Sequence, residues 1–414
     1  MEELHAFVLK FSEKEVPVAS DDELSHISSI LLIHATKDTQ CSLKVLQCLA
    51  YFTLDASPKS ILCLETFEKV LNILTGTGQL GRDEILAWFV DELRPLLLNI
   101  KQNEKVSISN ALKPQIGMSY KEDAQREQWR KRGGLKSIPL FYVVLLHLKK
   151  KDVSSNLWWI TPGILNLLDD TNDIEGVKLK GVLLLRVFLE HCFDDQRKWV
   201  SFSDLGLFEL YRPILLNMCY YLPPSYDSNT SLKVLQTVFP ALMSLYRSQF
   251  GDGSIKYKHY LGKFLSEIIL QILVPRVNLA HETLTEYALD VVCQIIQIEK
   301  ELSAVHLQRI IYVLGEYLVR NPFFTAFTSL LHGTLNVVSA LISYCPKERI
   351  IAHKYDFLGL LLIIFEKCQQ EGKLTPTRLE KLQTLRLSLE AAGCDFDTDK
   401  REILIRKDLY EFFQ

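Results

Sequence analysis

Apolar residues recur every three or four positions along nearly the whole chain, which is the spacing of one face of an α-helix. One clear example has apolar residues at Leu207, Tyr211, Ile214, Met218 and Tyr221. Two prolines follow at 223 and 224, and proline ends a helix because it lacks the N–H and clashes with the preceding turn. Alternating strand patterns are absent from the sequence. The pattern predicts an all-α protein of about nineteen helices.

The predicted helices come in pairs. With helices of roughly 12–22 residues and short polar turns, a pair recurs about every 40 residues, as in HEAT and armadillo repeats. The hexapeptide SLKVLQ occurs twice, at Ser42–Gln47 and Ser231–Gln236, and both copies open an amphipathic helix in the same phase. It is either a mark of equivalent repeat helices or a chance match. We predict an α-solenoid of HEAT/armadillo-like helix pairs, in which each pair buries its apolar side against its neighbours.

Two polar segments interrupt this pattern. Tyr120–Gly134 is dense in both signs of charge and ends in a glycine pair, and Asp169–Glu175 is a polar loop. Either is a candidate hinge, and the first is the better candidate for a boundary. We therefore predict N-terminal helical repeats over 1–118, a charged hinge or loop over 119–135, and C-terminal HEAT-like repeats over 136–414.

Composition narrows the location and the class of partner. The 414 residues are 48% hydrophobic and carry a net charge of −3, without the basic excess of a sequence-independent nucleic-acid binder. Nine scattered cysteines with no CxxC favour a reducing compartment, without a disulfide framework or a structural zinc site. The acidic, amphipathic start is not a secretory signal. Apolar runs such as Phe357–Phe365 are shorter than the roughly 20 residues of a membrane span. We expect a cytoplasmic and nuclear protein with no nucleic-acid or membrane partner.

Several motifs superficially suggest chemistry. Gly76–Gly81 matches GxGxxG, but a helical pattern precedes it where a dinucleotide site needs a strand, which favours a helix end. The acidic turn after residue 168 and the alternating aspartates from 395 to 399 do not follow the EF-hand ligand order. His191 and Cys192 are adjacent, so on a helix they point about 100° apart. We predict no enzyme activity, no cofactor and no metal.

The sharpest local pattern is a helix, an acidic turn and a second helix over Trp158–Cys192. Pro162 lies in the first helix, Asp169 and Asp170 at the turn, and Lys178 at the start of the second helix. The second helix is apolar on almost every side, so it must be buried between neighbours. An aspartate at the turn can accept N–H groups at the N-terminus of that helix, where negative charge is favoured.

These residues resemble the signature stretch of the Tti-two family. The resemblance lies in Pro162, the Leu-Leu-Asp-Asp turn and the run Lys178-Leu179-Lys180-Gly181, with Trp129 in a basic setting upstream, and it is clearest over 129–195. It implies an α-solenoid without catalytic activity, a subunit of the TTT co-chaperone complex. Such a subunit binds Tti-one, which carries Tel-two. Together they support the folding, assembly and stability of phosphatidylinositol-3-kinase-related kinases with the Hsp90 machinery, in DNA-damage, telomere and growth signalling.

The candidate repeat-turn and interface residues are Trp129, Trp158, Trp159, Pro162, Asp169, Asp170, Lys178 and Lys180. We expect the proline, the aspartates and the lysines to hold the shape of the repeat. Adjacent tryptophans on a helix cannot both face one core, so one of the pair packs and the other is a candidate partner contact. Trp129 either anchors onto the next helix pair or contacts a partner.

A second hypothesis is an armadillo/HEAT-type adaptor that binds linear peptides or a small GTPase in transport. Such an adaptor predicts a regular ladder of asparagine or acidic residues along one groove, and the sequence shows no such ladder.

Overall fold

The computed structural model describes residues 1–13, 16–55, 57–78, 80–98, 120–193, 199–403 and 409–413. These residues form helices and turns with no strand among them, which confirms the all-α class. Packing divides the chain into two compact units, Met1–Ile214 and Leu215–Gln414. No helix within these ranges is both long enough and apolar enough to cross a membrane.

The first unit contains ten α-helices in its described residues, the last of which continues into the second unit. They are α1 Glu2–Glu13, α2 Asp21–His34, α3 Thr39–Ala50, α4 Pro58–Gly76, α5 Arg82–Leu98, α6 Tyr120–Lys131, α7 Gly134–His147, α8 Val153–Leu168, α9 Leu179–His191 and α10 Phe208–Met218. Hydroxyl and carboxylate caps begin several of them, since Ser20, Asp38 and Ser57 each accept an N–H three residues later. α7 packs against α5 and α9, and α9 also packs against α8.

The segment predicted as a charged hinge or loop, 119–135, is mostly helix α6. Gly133 follows it with φ +89, a left-handed conformation that favours glycine, and leads directly into α7. The division between the two compact units falls within α10, at Ile214. Residues 99–119, which include the first residue of the predicted hinge, lie outside the described residues. A hinge at 119–135 stays a prediction.

The second unit adds eleven α-helices in its described residues. They are α11 Ser228–Phe250, α12 Ile255–Phe264, α13 Val274–Val277, α14 Glu282–Glu299, α15 Leu307–Leu314, α16 Thr328–Tyr344, α17 Lys347–Ala352, α18 Lys354–Gln370, α19 Pro376–Ala391, α20 Asp397–Ile403 and α21 Tyr410–Phe413. A π-helical stretch, Leu265–Leu273, joins α12 to α13, and another, Gly315–Val319, extends α15.

Helices two or three places apart in sequence lie side by side in the second unit. α14 packs against α11 and α16, and α16 packs in turn against α19. α18 packs against α15. An apolar core fills the space between the rows, with fully buried rings such as Phe239, Phe324 and Phe357. Each helix therefore buries its apolar side against a neighbouring pair.

Both copies of SLKVLQ occupy the same place in a helix. The first follows the N-cap Asp38 of α3 and the second follows the N-cap Asp227 of α11, each beginning four residues after the aspartate. Ser42 and Ser231 are fully buried, whereas the lysine two residues on is exposed in both copies. The same sequence thus takes the same helical phase in each unit.

The nine cysteines form no disulfide. Eight are buried, and Cys293 is partly exposed. Burial raises the pKa of the Cys48 and Cys63 thiols to about 12, so both remain protonated at neutral pH. These cysteines act as small apolar residues of the core.

Glu299 is a buried carboxylate at the end of α14. It is 2% exposed, and its Oε2 accepts no hydrogen bond within the described part of the chain. Gly262 of α12 faces it: a Cβ at that position would lie 2.7 Å from Glu299 Oε1 and 2.6 Å from His306 Nε2. Burial raises the pKa of Glu299 to about 7, although the positive charge of Lys258 opposes this shift.

Replacing Glu299 with glutamine changes the pH dependence of stability. Because the folded-state pKa is raised from 4.5 to about 7, the folded protein holds a proton that the unfolded chain releases. The contribution of Glu299 to stability is therefore greatest below about pH 4.5 and falls as pH rises to about 7, by on the order of 3 kcal/mol. Glu299→Gln removes this loss. The melting temperature of the variant relative to that of wild type will therefore be higher at about pH 8 than at about pH 5.

The matched control is Glu301→Gln, a neighbouring carboxylate that is exposed. Its melting temperature relative to wild type should be the same at both pH values. An equal difference for Glu299→Gln at both pH values would contradict the buried, proton-holding state.

Candidate functional site

The predicted helix–turn–helix is present. α8 ends at Leu168, a π-helical turn spans Ile174–Lys178, and α9 runs from Leu179 to His191. The two helices pack closely because Gly181 has no side chain: a Cβ there would lie 2.9 Å from Leu167 Cβ and 3.2 Å from the Leu168 backbone nitrogen. Pro162 lies inside α8 and is partly exposed.

Asp170 closes the turn. It is 4% exposed, and its Oδ1 accepts the backbone N–H groups of Asn172 and Asp173 at 2.9 and 2.8 Å. The predicted capping role belongs to Asp173, because that carboxylate accepts the Gly176 N–H at 2.7 Å at the start of the π-helical turn. Asp170 therefore shapes the loop, and Asp173 caps the helical turn that follows.

Two arginines of α6 hold this acidic turn from outside. Arg126 Nη1 lies 3.4 Å from Asp170 Oδ1, and Arg126 Nη2 donates to the Asp169 carbonyl at 2.9 Å. One helical turn later, Arg130 Nη2 lies 2.8 Å from Asp173 Oδ2. A planar guanidinium can bond a carboxylate and a carbonyl together, which an ammonium cannot do in the same fork geometry. We call these five residues the clamped turn.

Sequence reasoning selected neither arginine. They lie 43 residues before the groups they bind, and no local pattern connects them with the aspartates. The available signal was the spacing of Arg126 and Arg130 around Trp129, since residues four apart share one face of a helix. The sequence pattern places Asp173 only within the polar loop Asp169–Glu175.

Trp129 anchors α6 within the first unit. It is 6% exposed, and its indole Nε1 donates to the Leu96 carbonyl of α5 at 2.7 Å. Its ring occupies the space beside Gly134, where a Cβ would lie only 2.1 Å from the ring. Gly134, the second glycine of the pair that ends the charged segment, is therefore needed for this tryptophan to pack.

The adjacent tryptophans of α8 have opposite environments. Trp159 is fully buried, its ring lies 5.1 Å from that of Phe141, and its Nε1 donates to Asn156 Oδ1 at 2.8 Å. Trp158 is 52% exposed, with the guanidinium of Arg94 4.3 Å above its ring. Trp158 lines a cavity of about 330 Å³ between α5 and α8. It is the member of the pair that a partner can reach.

The remaining candidates lie around the same turn. Asp169 is exposed, while Lys178 is 7% exposed inside the π-helical turn. Lys180 is partly exposed and lines a cavity of about 450 Å³, together with Asp173 and the rings of Tyr51 and Phe52. All eight predicted residues thus lie on α6, α8, the turn or α9. Whether they contribute to an interface stays a prediction.

A separate group could hold a metal ion. The ligand atoms of His5, Asp38 and Cys41 lie within 4.8 Å of one another. Asp38 already caps α3, accepting the Cys41 N–H at 2.9 Å, and the Cys41 Sγ lies 3.7 Å from His5 Nδ1. No fourth protein ligand joins them in the described residues, whereas closed structural zinc sites have four. The clamped turn, by contrast, has neutralised charges and buried acceptors, which suit a structural role.

Substituting Asp170 with lysine should destabilise the first unit. The variant loses two backbone hydrogen bonds and places a cation against Arg126 in a site that is nearly inaccessible to water. Breaking a buried, hydrogen-bonded pair from one side costs about 3–5 kcal/mol. Thermal melting followed by circular dichroism measures this loss.

The control is Glu65→Lys on α4, an exposed carboxylate paired with Lys69 one turn away. Surface pairs of this kind contribute about 0.3–0.5 kcal/mol, so its melting temperature should remain near that of wild type. An Asp170→Lys variant as stable as this control would show that the clamped turn does not stabilise the unit.

The comparisons with known proteins agree on one family. A family model described as the Tti2 family matches residues 45–326. TEL2-interacting protein 2 of Saccharomyces cerevisiae is 51% identical over 304 residues, which cover 72% of this chain and 72% of the yeast protein. No solved structure matches the chain. The match over most of the chain shows that it belongs to the Tti2 family.

Proposed function

We propose that this chain is a non-enzymatic scaffold subunit of the TTT complex. In that role it binds Tti-one, and through it Tel-two, and supports Hsp90-linked folding, assembly and stability of phosphatidylinositol-3-kinase-related kinases in the cytoplasm and nucleus. The observation that carries the proposal is the half-identical yeast relative, whose name states that it interacts with Tel2.

The architecture is compatible with a scaffold. Its helices lie in rows, α11–α14–α16–α19 in the second unit, and we interpret the successive pairs as HEAT-like repeats. Such an array offers long surfaces to partners. The buried polar groups of the clamped turn are bonded to one another, so they hold the repeat in shape and are not poised for chemistry.

The alternative is an armadillo/HEAT-type adaptor for linear peptides or a small GTPase. Affinity purification of the tagged full-length chain from cells separates the two functions. Tti-one, Tel-two and very large kinases as co-purifying proteins support the scaffold. Transport cargo or a GTPase in their place would support the adaptor and overturn the proposal. Depleting the chain should also lower the steady-state levels of the kinases.

The two tryptophans of α8 separate binding from folding. Trp159→Ala removes a fully buried ring and should cost about 3–5 kcal/mol of stability. Trp158→Ala removes a half-exposed ring stacked by Arg94, a contact that contributes about 0.5–1 kcal/mol. Trp158→Ala should therefore keep a near wild-type melting temperature and recover less Tti-one in a pull-down.

Recovery is compared at equal amounts of folded protein. If Trp158→Ala recovers Tti-one as well as wild type does, Trp158 lies outside the interface. A melting temperature as low as that of Trp159→Ala would instead assign Trp158 a packing role.

A further inference from the structure

Exposed apolar side chains recur at one place in successive helix pairs of the second unit. Ile255 is the first residue of α12 and is 80% exposed. Val305 precedes α15 by two residues and is 77% exposed, and Tyr355 is the second residue of α18 and is 61% exposed. Each therefore lies where the second helix of a pair begins. Leu302, on the turn just before α15, and Ile351, in the short helix α17 just before α18, are also exposed.

The turns that carry these residues are neighbours in space. Lys258, one helical turn after Ile255, acts electrostatically on Glu299. Gly262, one turn further along α12, faces Glu299 and His306, which bracket the turn before α15. From within that turn, the Ser303 Oγ lies 3.4 Å from the Cys345 Sγ at the end of α16. The exposed apolar side chains thus form a row along one edge of the unit, which we call the turn ridge: Ile255, Leu302, Val305, Ile351 and Tyr355.

One exposed apolar residue, Phe323, lies away from the turn ridge, at the opposite edge of the unit. It is 73% exposed and lies on the turn that enters α16. This turn contacts the C-terminal end of α18, since Lys367 Nζ donates to the Asn321 carbonyl at 2.8 Å. Tyr355 lies at the other end of the same helix. Twelve residues separate Tyr355 from Lys367, which at 1.5 Å each places the two edges about 18 Å apart.

The ridge is locally basic although the chain is acidic overall. Segments 252–259, 300–309 and 347–356 contain seven lysines and arginines against four aspartates and glutamates, whereas the whole chain carries a net charge of −3. One of the seven, Lys354, pairs with Asp399 outside these segments, which leaves a smaller but still positive excess. A surface that combines apolar side chains with excess positive charge is complementary to an apolar ligand that carries negative charge.

The middle turn has a strained backbone. Lys300, its first residue, has φ +55, a conformation that L-residues rarely adopt. It follows Glu299, the buried carboxylate whose Oε2 accepts no hydrogen bond among the described residues. Unfavourable backbone conformations of this kind cluster at ligand-binding segments, where the surrounding structure maintains them. Here the turn that they shape exposes Leu302 and Val305.

We propose that the turn ridge is the docking surface for an acidic amphipathic helix of a partner protein. Packed helices lie about 8–10 Å apart, and a docked helix rises about 10 Å in seven residues. Apolar residues at heptad spacing on the partner would therefore meet successive turns, while its acidic residues face the lysines. This inference rests on the proposed function, because it takes a protein of the complex as the occupant.

The test uses the full chain and a purified Tti-one–Tel-two pair as the probe, with affinity measured by surface plasmon resonance. The double variant Val305→Asp with Tyr355→Asp places negative charge against the acidic helix of the partner. It should therefore weaken binding about tenfold or more. Val305→Lys with Tyr355→Lys loses the same apolar contacts but adds favourable charge, so it should weaken binding less. Phe323→Asp at the opposite edge is the matched control and should bind like wild type.

All three substituted positions are exposed, so the melting temperatures should stay within about 2 °C of wild type. If the pair binds wild type and the Asp variant equally, the ridge is not the interface, while the proposed function stands. Equal weakening by the Asp and Lys variants would overturn the acidic chemistry of the occupant. If the pair does not bind the wild-type chain at all, both the ridge and the proposed function are wrong.

Discussion

The burial of α9 is the constraint on which the first unit depends. Most of its residues are buried, with α7 and α8 packed against it, while Lys180, Arg186 and Glu190 lie on a stripe that solvent reaches. An isolated helix of 13 residues is marginal in water, so its stability comes from these neighbours. Its position depends in turn on the clamped turn, where Asp170 and Asp173 bond the loop and the α6 arginines hold the carboxylates. Polar and apolar interactions thus act on the same short stretch of chain.

The sequence predicted those parts of the fold that depend on local periodicity. The all-round apolar pattern of α9 required burial, and the phase of the two SLKVLQ copies agrees with two helices that begin after aspartate caps. The contrast between Trp158 and Trp159 follows from the 100° step between adjacent helical residues. What could not be predicted depends on contacts between distant segments. Arg126 and Arg130 meet aspartates 43 residues away, and the charged segment around them is helical because Trp129 reaches α5.

The second unit shows how the same construction leaves surface available to partners. Stacking buries one side of each helix pair, and the connecting turns remain at the edges. Where those turns carry isoleucine, valine and tyrosine, the edge is apolar without being part of the core. A HEAT-like array, as we propose for this chain, needs no enclosed pocket to recognise a partner, because recognition can spread over equivalent positions of successive pairs. Membership of the Tti2 family gives that surface a biological context.

Native-state amide hydrogen exchange of α9 tests the central claim most directly, since it reports which helices open only when a whole unit unfolds. We predict that the α9 amides are among the slowest to exchange in the first unit. Replacing Asp170 with asparagine, which preserves the shape of the side chain but removes its charge, should accelerate exchange of the α9 amides more than exchange of the α4 amides. Exchange of α9 at the rate of the terminal helix α1, or no acceleration in the asparagine variant, would show that the clamped turn does not hold α9 in place.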